Sequence, residues 1–488
     1  MILSNLLSAI KAEQVNGDVT IVVSGLECDS RRVAAGVVFV AVPGPVSDGH
    51  DYIDAAIERG ATVVVCERLP QSLTDGVVWV KVADAAKALG FLASQWYDNP
   101  SHKLTLVGVT GTNGKTTIAT LLYEMATLTG KKAGLISTVE NRVAGKVYPS
   151  HNTTPSPLEI NRLLSEMVAE GCSFAAMEVS SHGMVQQRTA GLKFAGGIFT
   201  NLTRDHLDYH KTVAAYLAAK KSFFDMLPAD AWALTNADDS HGAVMLQNTA
   251  ASKHDYSLRK NASFRTRIVE SRMDGTVLDI DGTQMHTRFA GLFNAYNLTA
   301  VYGACVLMGM LAHEVAVAVS ALVPVNGRFE VLHSADGVTA VVDYAHTPDA
   351  LENVLKTIAA AKGNSGKITT VFGAGGNRDK GKRPQMAAVA ARLSDRIVIT
   401  SDNPRDEDPA DIADDVKAGV PVDSTVQVDV ILERAAAIHV AITEALPGDV
   451  VLVAGKGHED YQIFAEGRTV HFDDHEQVKN AFAARNQD

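Results

Sequence analysis

The sequence predicts an α/β protein of three domains, a central P-loop-type parallel-sheet domain flanked by a small N-terminal α/β domain and a C-terminal Rossmann-like domain. Three observations carry this. The chain has 488 residues, beyond the size at which a single hydrophobic core keeps growing. Short β-branched runs alternate with segments of helical period, the pattern of strands covered by helices on both faces. Polar, glycine-bearing motifs then recur directly after apolar runs, where open parallel sheets carry their ligands.

Residues 1–100 hold β-branched runs at 20–24, 37–42, 61–66 and 77–82, separated by turn or helical segments, and read as the small N-terminal domain. Asp98-Asn99-Pro100-Ser101 is a dense cluster of breakers and predicts a linker. A strand is expected over 104–109, then a helix whose apolar face is Ile118, Leu121, Leu122 and Met125. Ser156-Pro157-Leu158-Glu159 announces another helix, with serine as N-cap, proline at the first helical position and glutamate completing a capping box. Further strands are expected at 174–179, 197–200 and 231–235. Residues 263–288, with Asp274-Gly275 and Asp281-Gly282, predict antiparallel hairpins, and helix returns over 295–309. This central domain is assigned to 101–334. After Gly327-Arg328-Phe329-Glu330 the alternation restarts, with strands near 340–342, 368–372, 396–400 and 450–453, giving a doubly wound domain over 335–488.

Composition narrows the function. The 44 basic and 56 acidic side chains give a net charge of -12, which repels a phosphate backbone and argues against nucleic acid as a partner. Cys28, Cys66, Cys172 and Cys305 are scattered without a Cys-x-x-Cys pair, so buried free thiols are expected rather than a disulfide framework or a zinc site. No apolar run reaches the ~18 residues of a membrane helix, and the first residues lack a basic leader pattern. A cytoplasmic protein without a membrane partner is expected.

The chemistry begins at residues 108–117, Gly-Val-Thr-Gly-Thr-Asn-Gly-Lys-Thr-Thr. The regular phosphate-loop pattern places glycine five residues before Gly-Lys-[Ser/Thr]; here Val109 holds that place and the glycines are Gly108 and Gly111. The physics survives the variation, since a glycine-rich turn from strand to helix aims backbone N–H groups at phosphate oxygens. Lys115 would neutralise phosphate charge and the Thr116 hydroxyl would ligate Mg²⁺. Glu178 ends the next strand, where a carboxylate is costly to bury without a cation. His206 is a metal ligand, a phosphate contact or a structural histidine. Four polar clusters follow apolar runs of the last domain: Asp343-Tyr344-Ala345-His346, residues 373–383, Asp402-Asn403-Pro404-Arg405 and Gly455-Lys456-Gly457-His458-Glu459. Four on one sheet edge predict a shared pocket.

These motifs resemble the Mur ligases essentially end to end, and within that family the members that add the third amino acid. The resemblance rests on Asp29-Ser30-Arg31, the phosphate loop, Asn152-Thr153-Thr154-Pro155, Glu178 to Gly183, Gln186-x-Arg188, His206-Leu207-Asp208-Tyr209-His210, Asn294-x-x-Asn297, Asn326-Gly327-Arg328-Phe329 and the clusters just named. It implies a UDP-MurNAc-binding N-terminal domain, a central ATP-binding catalytic domain and a C-terminal domain that brings the amino acid. By resemblance, Gly111, Thr112, Asn113, Gly114, Lys115, Thr116 and Thr117 hold ATP, with Asn294, Asn297, Arg328 and Asp343 in the nucleotide-contacting set. Thr116, Glu178, His206 and Lys220 are the implied metal site, Lys220 as a carbamate and Lys221 its neighbour in register. Thr153, Thr154, Ser180, Gln186 and Arg188 are the implied muramoyl-peptide contacts, and Ser30 the uridine contact.

Asp402-Asn403-Pro404-Arg405 resembles the signature of family members that add meso-diaminopimelate. That substrate has a second carboxylate which lysine lacks, and arginine offers a bidentate fork to it. Arg378, Gly455 and Glu459 match further contacts, with Glu459 facing the distal ammonium. The implied reaction is ATP-dependent addition of meso-diaminopimelate to the D-glutamate γ-carboxylate of UDP-N-acetylmuramoyl-L-alanyl-D-glutamate through an acyl phosphate, by a monomer. Lys115, Glu178, His206 and Lys220 would act at the reacting centre. The competing readings are an L-lysine-adding ligase, a folylpolyglutamate synthetase, and a nucleotide-regulated binding protein without ligase chemistry.

Overall fold

A computed structural model of the chain describes residues 1–44, 47–362 and 366–485. Three main sheets follow one another along the chain. In the first, five strands run in the order Gln14–Asn16, Val78–Lys81, Ala61–Cys66, Val37–Val40, Gly25–Glu27, parallel except for the first. The valine runs fill both faces of it, as expected for strands buried on two sides. The expected strand over 20–24 is a correction. Those residues are turn and bridge, with Val22 pairing only with Ile2, and the edge strand starts at Gly25. β-branched composition there marks a partly exposed loop, not a ladder.

The second sheet has eleven strands. Its parallel centre is Ser252–Ser257, Trp232–Asn236, Gly196–Phe199, Thr105–Thr110, Phe174–Glu178 and Ala133–Ile136. The expected hairpins appear as Phe264–Arg272, Gly275–Ile280 and Thr283–Thr287 at one edge. A hairpin not read from sequence, Glu140–Val143 with Lys146–Pro149, closes the other. Helix Lys115–Leu128 buries Ile118, Leu121, Leu122 and Met125 on one face of the sheet, while helix Pro157–Ala169 buries Ile160, Leu163, Leu164 and Met167 on the other. Only half of the predicted capping box forms. Ser156 Oγ accepts from Glu159 N–H, but the Glu159 carboxylate turns outward to Arg162.

The third sheet runs Glu330–His333, Thr339–Asp343, Val450–Ala454, Ile368–Phe372, Arg396–Ile399, Gln427–Val430, antiparallel only at the first pair. Strand Val450–Ala454, last in sequence, sits between the second and third, so the crevice of the sheet opens there. The loops after four neighbouring strands begin at Tyr344, Gly373, Thr400 and Gly455, on one edge and facing the end of the central sheet. Beneath this edge lies a fully buried ion pair, Arg434 to Asp474 at 2.7 Å, whose arginine also donates to the Ala454 carbonyl at 3.1 Å.

The first sheet body is seated directly on the second. Helix Ala85–Trp96 packs against helix Pro157–Ala169, and Gly90 approaches the turn at Ala190-Gly191 so closely that a Cβ on it would lie 2.5 Å from the Ala190 carbonyl oxygen. Asp98 and Asn99, in the predicted linker, take positive φ of 59° and 47°, which short polar residues tolerate.

Candidate active site

The phosphate loop leaves strand Thr105–Thr110 and enters helix Lys115–Leu128. Gly111 (φ 148°) and Gly114 (φ 88°) are required as glycine: a Cβ would stand 1.8 Å from Thr200 Oγ1 at the first and 2.6 Å from Asn297 Oδ1 at the second. Asn201 fixes the loop from the side, its Oδ1 accepting from Asn113 N–H at 3.0 Å and its carbonyl from Thr112 N–H at 2.8 Å. The variant spacing therefore still builds a cradle, held by residues after the neighbouring strand.

Two lysines meet on this cradle. Lys115 Nζ donates to the carbonyls of Gly111 and Thr112, and Lys220 Nζ, from helix Val213–Asp225, donates to Gly111 as well. Lys220 lies 4.5 Å from the centroid of Tyr216, whose hydroxyl is 3.1 Å from Thr112 Oγ1. Burial pushes both ammonium groups down; Glu178 opposes this at Lys115, while Lys115 itself pushes Lys220 further. Lys221 instead pairs with Asp225 one turn on along its own helix, so of the two neighbours it is Lys220 that reaches the phosphate loop.

Glu178 is wholly buried at the end of its strand. Its Oε1 accepts from Thr138 N–H at 2.8 Å, and its Oε2 has no partner. An unpartnered buried carboxylate oxygen is costly unless a cation completes it, so the donor set fits a bound divalent ion. His206 stands nearby in the left-handed region (φ 54°), against Asp205 at 3.3 Å and 4.8 Å from His182. Burial pushes His206 down to about 3 and His182 to about 4, leaving both neutral and able to offer lone pairs. Asp205 is pushed down: burial opposes its charge, but Lys382 and the hydrogen bond from His206 N–H favour it while the two rings are neutral. Among the described residues no three His, Cys, Asp or Glu side chains converge as a self-sufficient metal site.

A cavity of about 410 Å³ beside the loop is lined by Thr112 to Thr117, Glu178, Asn297, Arg328 and Asp343. Arg328, just before the first strand of the third sheet, donates to Thr116 Oγ1 at 3.2 Å while lying over the Tyr344 ring. Asp343 accepts from Phe329 and Ala345 N–H, and burial pushes its carboxyl up. Asn294 does not line this cavity; its amide accepts from Asn297 and so orients the residue that does. Asp349, at the start of helix Pro348–Lys362, takes a hydrogen bond from Asn113 Nδ2 at 3.1 Å.

A second cavity of about 470 Å³ opens on the other side of Lys115. Thr153, Thr154, Ser180, Gln186 and Arg188 line it from the central body, and Arg378, Asp402, Asn403, Arg405, Gly455 and Glu459 from the third. Lys115, His206 and Lys220 line the same cavity. Arg188 holds Gln186 Oε1 with both Nε and Nη2, and Thr154 Oγ1 accepts from Ser180 N–H. Across the cavity, Asn403 Nδ2 donates to Glu459 Oε2 at 2.9 Å, and the fully buried Lys456 donates to Asn403 Oδ1 at 3.1 Å. Burial pushes the Glu459 carboxyl up, with Asp402 adding to this. Arg405 has positive φ and donates to the Gly376 carbonyl at 2.9 Å. Burial, then the charge of Arg378, pushes its guanidinium down.

Ser30, in a 3-10 turn of the first body, lies apart from both cavities, and Pro404 shapes its loop without lining either. Pro45 and Val46, in the stretch near the expected uridine end, fall outside the described residues. Sequence reasoning missed Thr138, Asp205 and Asp349 as site residues. Asp205 and Asp349 follow strands within polar segments, a signal that was available; Thr138, whose N–H donates to Glu178 and whose hydroxyl donates to Thr153 Oγ1 at 3.0 Å, had none.

Fold and site together define an ATP-dependent ligase. Three family models match in order: Mur ligase family, catalytic domain, over residues 22–97; Mur ligase middle domain over 109–305; and Mur ligase, glutamate ligase domain, over 327–457. A protein of Parabacteroides distasonis named UDP-N-acetylmuramoyl-L-alanyl-D-glutamate–2,6-diaminopimelate ligase is 54% identical over 485 residues, covering 99% of this chain and 100% of that one. The Chlorobaculum tepidum protein of the same name is 42% identical over 497 residues, covering 99% and 97%. A solved structure of a ligase with that name superposes with a TM-score of 0.70 at 31% identity, covering 99% of each chain. The MurF ligase of Thermotoga maritima in complex with ADP shares the fold, with a TM-score of 0.62 at 18% identity and 95% and 97% coverage. The chain belongs to the Mur ligase family.

Proposed function

We propose that this ligase adds meso-diaminopimelate to the γ-carboxylate of the D-glutamate in UDP-N-acetylmuramoyl-L-alanyl-D-glutamate, a step in building peptidoglycan precursors. The observation that carries the reading is the cavity of about 470 Å³ whose lining brings Thr154 and Arg188 together with Arg405, Glu459 and Lys115. Relatives named for the same reaction support it. In this reading residues 1–100 hold the uridine end, with Ser30 as a contact; 101–334 hold ATP and the reacting carboxylate; and 335–488 deliver the amino acid.

A carboxylate is a poor electrophile, and phosphorylation remedies this. Its oxygen attacks the γ-phosphorus of ATP, the bond to ADP breaks, and an acyl phosphate forms. Lys115 and the loop N–H groups oppose the charge that accumulates on the transferring phosphoryl group. The unprotonated amine of diaminopimelate then attacks the acyl carbon, phosphate leaves, and the nitrogen loses a proton as the amide forms. Arg188 and Thr154 would hold the dipeptide, Arg405 and Arg378 the distal carboxylate, and Glu459 the distal ammonium.

Mg²⁺ fits the donors present: Thr116, Glu178 through its unpartnered Oε2, His206 and Lys220 would surround it, and when bound it would neutralise phosphate oxygens. Lys220 suits that role as a carbamate, formed when its unprotonated amine adds to CO₂ and releases a proton. The depressed basicity of Lys220 supplies the unprotonated amine this needs.

The test is ADP release from the purified protein with the muramoyl dipeptide and a panel of amino acids. Release that requires diaminopimelate is expected. Equal release with L-lysine would overturn the specificity, and nucleotide binding without substrate-dependent release would overturn the ligase assignment.

A further inference from the structure

One arginine without a part in the chemistry above is buried completely beneath the two loops that carry Arg378 and Arg405. Arg383 stands in the first turn of helix Lys382–Leu393 and has no exposed surface. Its Nη1 donates to Glu407 Oε2 at 3.0 Å and to Asp415 Oδ2 at 2.8 Å. Its Nη2 donates to Glu407 Oε1 at 2.9 Å and to the Gly375 carbonyl at 3.3 Å. Glu407 Oε1 also accepts from Asn377 N–H at 2.5 Å, and Glu407 Oε2 lies 3.0 Å from Lys380 Nζ. One guanidinium thus grips both the loop before Arg378 and the loop after Arg405 in a two-pronged geometry, the strongest form of such a bond.

Those loops touch along their length. Gly376 N–H donates to the Asn403 carbonyl at 2.9 Å, and Asp406 N–H to Asn377 Oδ1 at 3.2 Å. A Cβ on Gly376 would stand 1.8 Å from the Pro404 carbonyl oxygen, so the backbones meet with no room between them. Each loop also holds a non-glycine residue at positive φ, Asn377 at 54° and Arg405 at 53°. Such backbone costs free energy and persists only where its surroundings over-determine it. The arrangement further holds two arginines, Arg378 and Arg405, toward one cavity, where their like charges repel until an anion joins them.

We infer that Arg383 is a positioning residue for amino-acid selection: its grip on Glu407 fixes the spacing of the loops bearing Arg378 and Arg405, and so their fit to a second carboxylate. This rests on diaminopimelate being the incoming amino acid. Losing the grip lets strain and repulsion part the loops, weakening hold on the distal carboxylate and leaving the phosphate loop and the dipeptide contacts untouched.

The experiment compares Arg383→Lys, Glu407→Gln and Arg405→Ala with the parent enzyme by ADP release, measuring KM for diaminopimelate, ATP and the muramoyl dipeptide, with thermal unfolding alongside. Arg383→Lys keeps the charge but loses the fork. It should raise the KM for diaminopimelate on the order of ten- to a hundredfold, a misplacement-sized effect, with kcat and the other two KM values little changed. Glu407→Gln should move the same constant in the same direction, and it carries the test if Arg383→Lys does not fold. An unchanged diaminopimelate KM in these variants, while Arg405→Ala raises it, overturns the inference. So does a fall in kcat and melting temperature with every KM intact, the mark of a fold-only role. If Arg405→Ala also leaves the constant unchanged, the diaminopimelate reading fails first and takes this one with it.

Discussion

Lys115 and Lys220 bind the same carbonyl: their Nζ atoms donate to Gly111 O at 3.0 Å and 2.6 Å. Two ammonium groups on one oxygen in a buried site repel strongly, and only one of them has the phosphates of ATP in prospect. The lower basicity of Lys220 follows from burial and from Lys115 beside it. Conversion of Lys220 to a carbamate turns that repulsion into attraction and supplies an anion for a metal.

Lys220→Ala should therefore lose nearly all turnover and regain part of it when short carboxylic acids are added. Enzyme equilibrated with ¹³C-bicarbonate should show a carbamate resonance that the variant lacks. Absence of both signals would remove the carbamate from the mechanism.

Lys115→Ala should leave the fold intact and lower kcat on the order of a hundred- to a thousandfold, the cost of one charge-stabilising donor at a transferring group. Near-parental ADP release would show that the loop is not the phosphate cradle.

Arg405→Ala should raise the KM for diaminopimelate roughly ten- to a hundredfold, equivalent to about 1.5–3 kcal/mol for a hydrogen bond to a charged group. The KM for ATP should stay put. Steady-state kinetics with each substrate varied in turn separates the two.

Acid should destabilise the metal-free protein as pH falls below about 6.5, the ordinary histidine value. Burial holds His182 and His346 down at about 4 and His206 and His458 at about 3, against an ordinary value near 6.5. The unfolded chain thus binds more protons, so stability falls as pH drops from 6.5 toward 4, each histidine contributing at most ~1.4 kcal/mol per pH unit. Asp343, Asp349 and Glu459, pushed up by burial, offset part of this. The urea midpoint measured at pH 6.5 and at pH 5 should decrease; a constant or rising midpoint would contradict the buried-neutral state of these rings.

Much of this was legible in sequence, for identifiable reasons. Strands buried on two faces, such as Ala61–Cys66 and Ile368–Phe372, write themselves as short β-branched runs without a charge, and both are legible with their observed bounds. The motifs of the third sheet were legible as one edge because each follows such a run. The hairpin at 140–149 was not, since Glu140–Val143 and Lys146–Pro149 are short and half-exposed and lack an apolar repeat. Nor could sequence show that Asn294 supports Asn297 instead of lining the nucleotide cavity, because both lie buried on one helix and differ only in which way they face. Arg383 ends the polar segment 373–383 that the sequence assigns to the shared pocket, with nothing in its spacing to mark it as a support beneath that pocket. Only burial distinguishes it from Lys380, which is exposed.

The backbone contact at Gly90 and Ala190 has a metric consequence. With only the Ala190 methyl group and carbonyl facing Gly90, the first body is seated closely on the central one, and in the proposed reading this contact sets the span from Ser30 to Thr154. A precursor gripped at its uridine and at its peptide is then measured like rod against gauge. On that reading, one amino acid too few would leave its terminal carboxylate short of the phosphate loop, and one too many would carry it past. Order of assembly in a growing peptide can thus be enforced by a ruler, without any site that reads the residues already added.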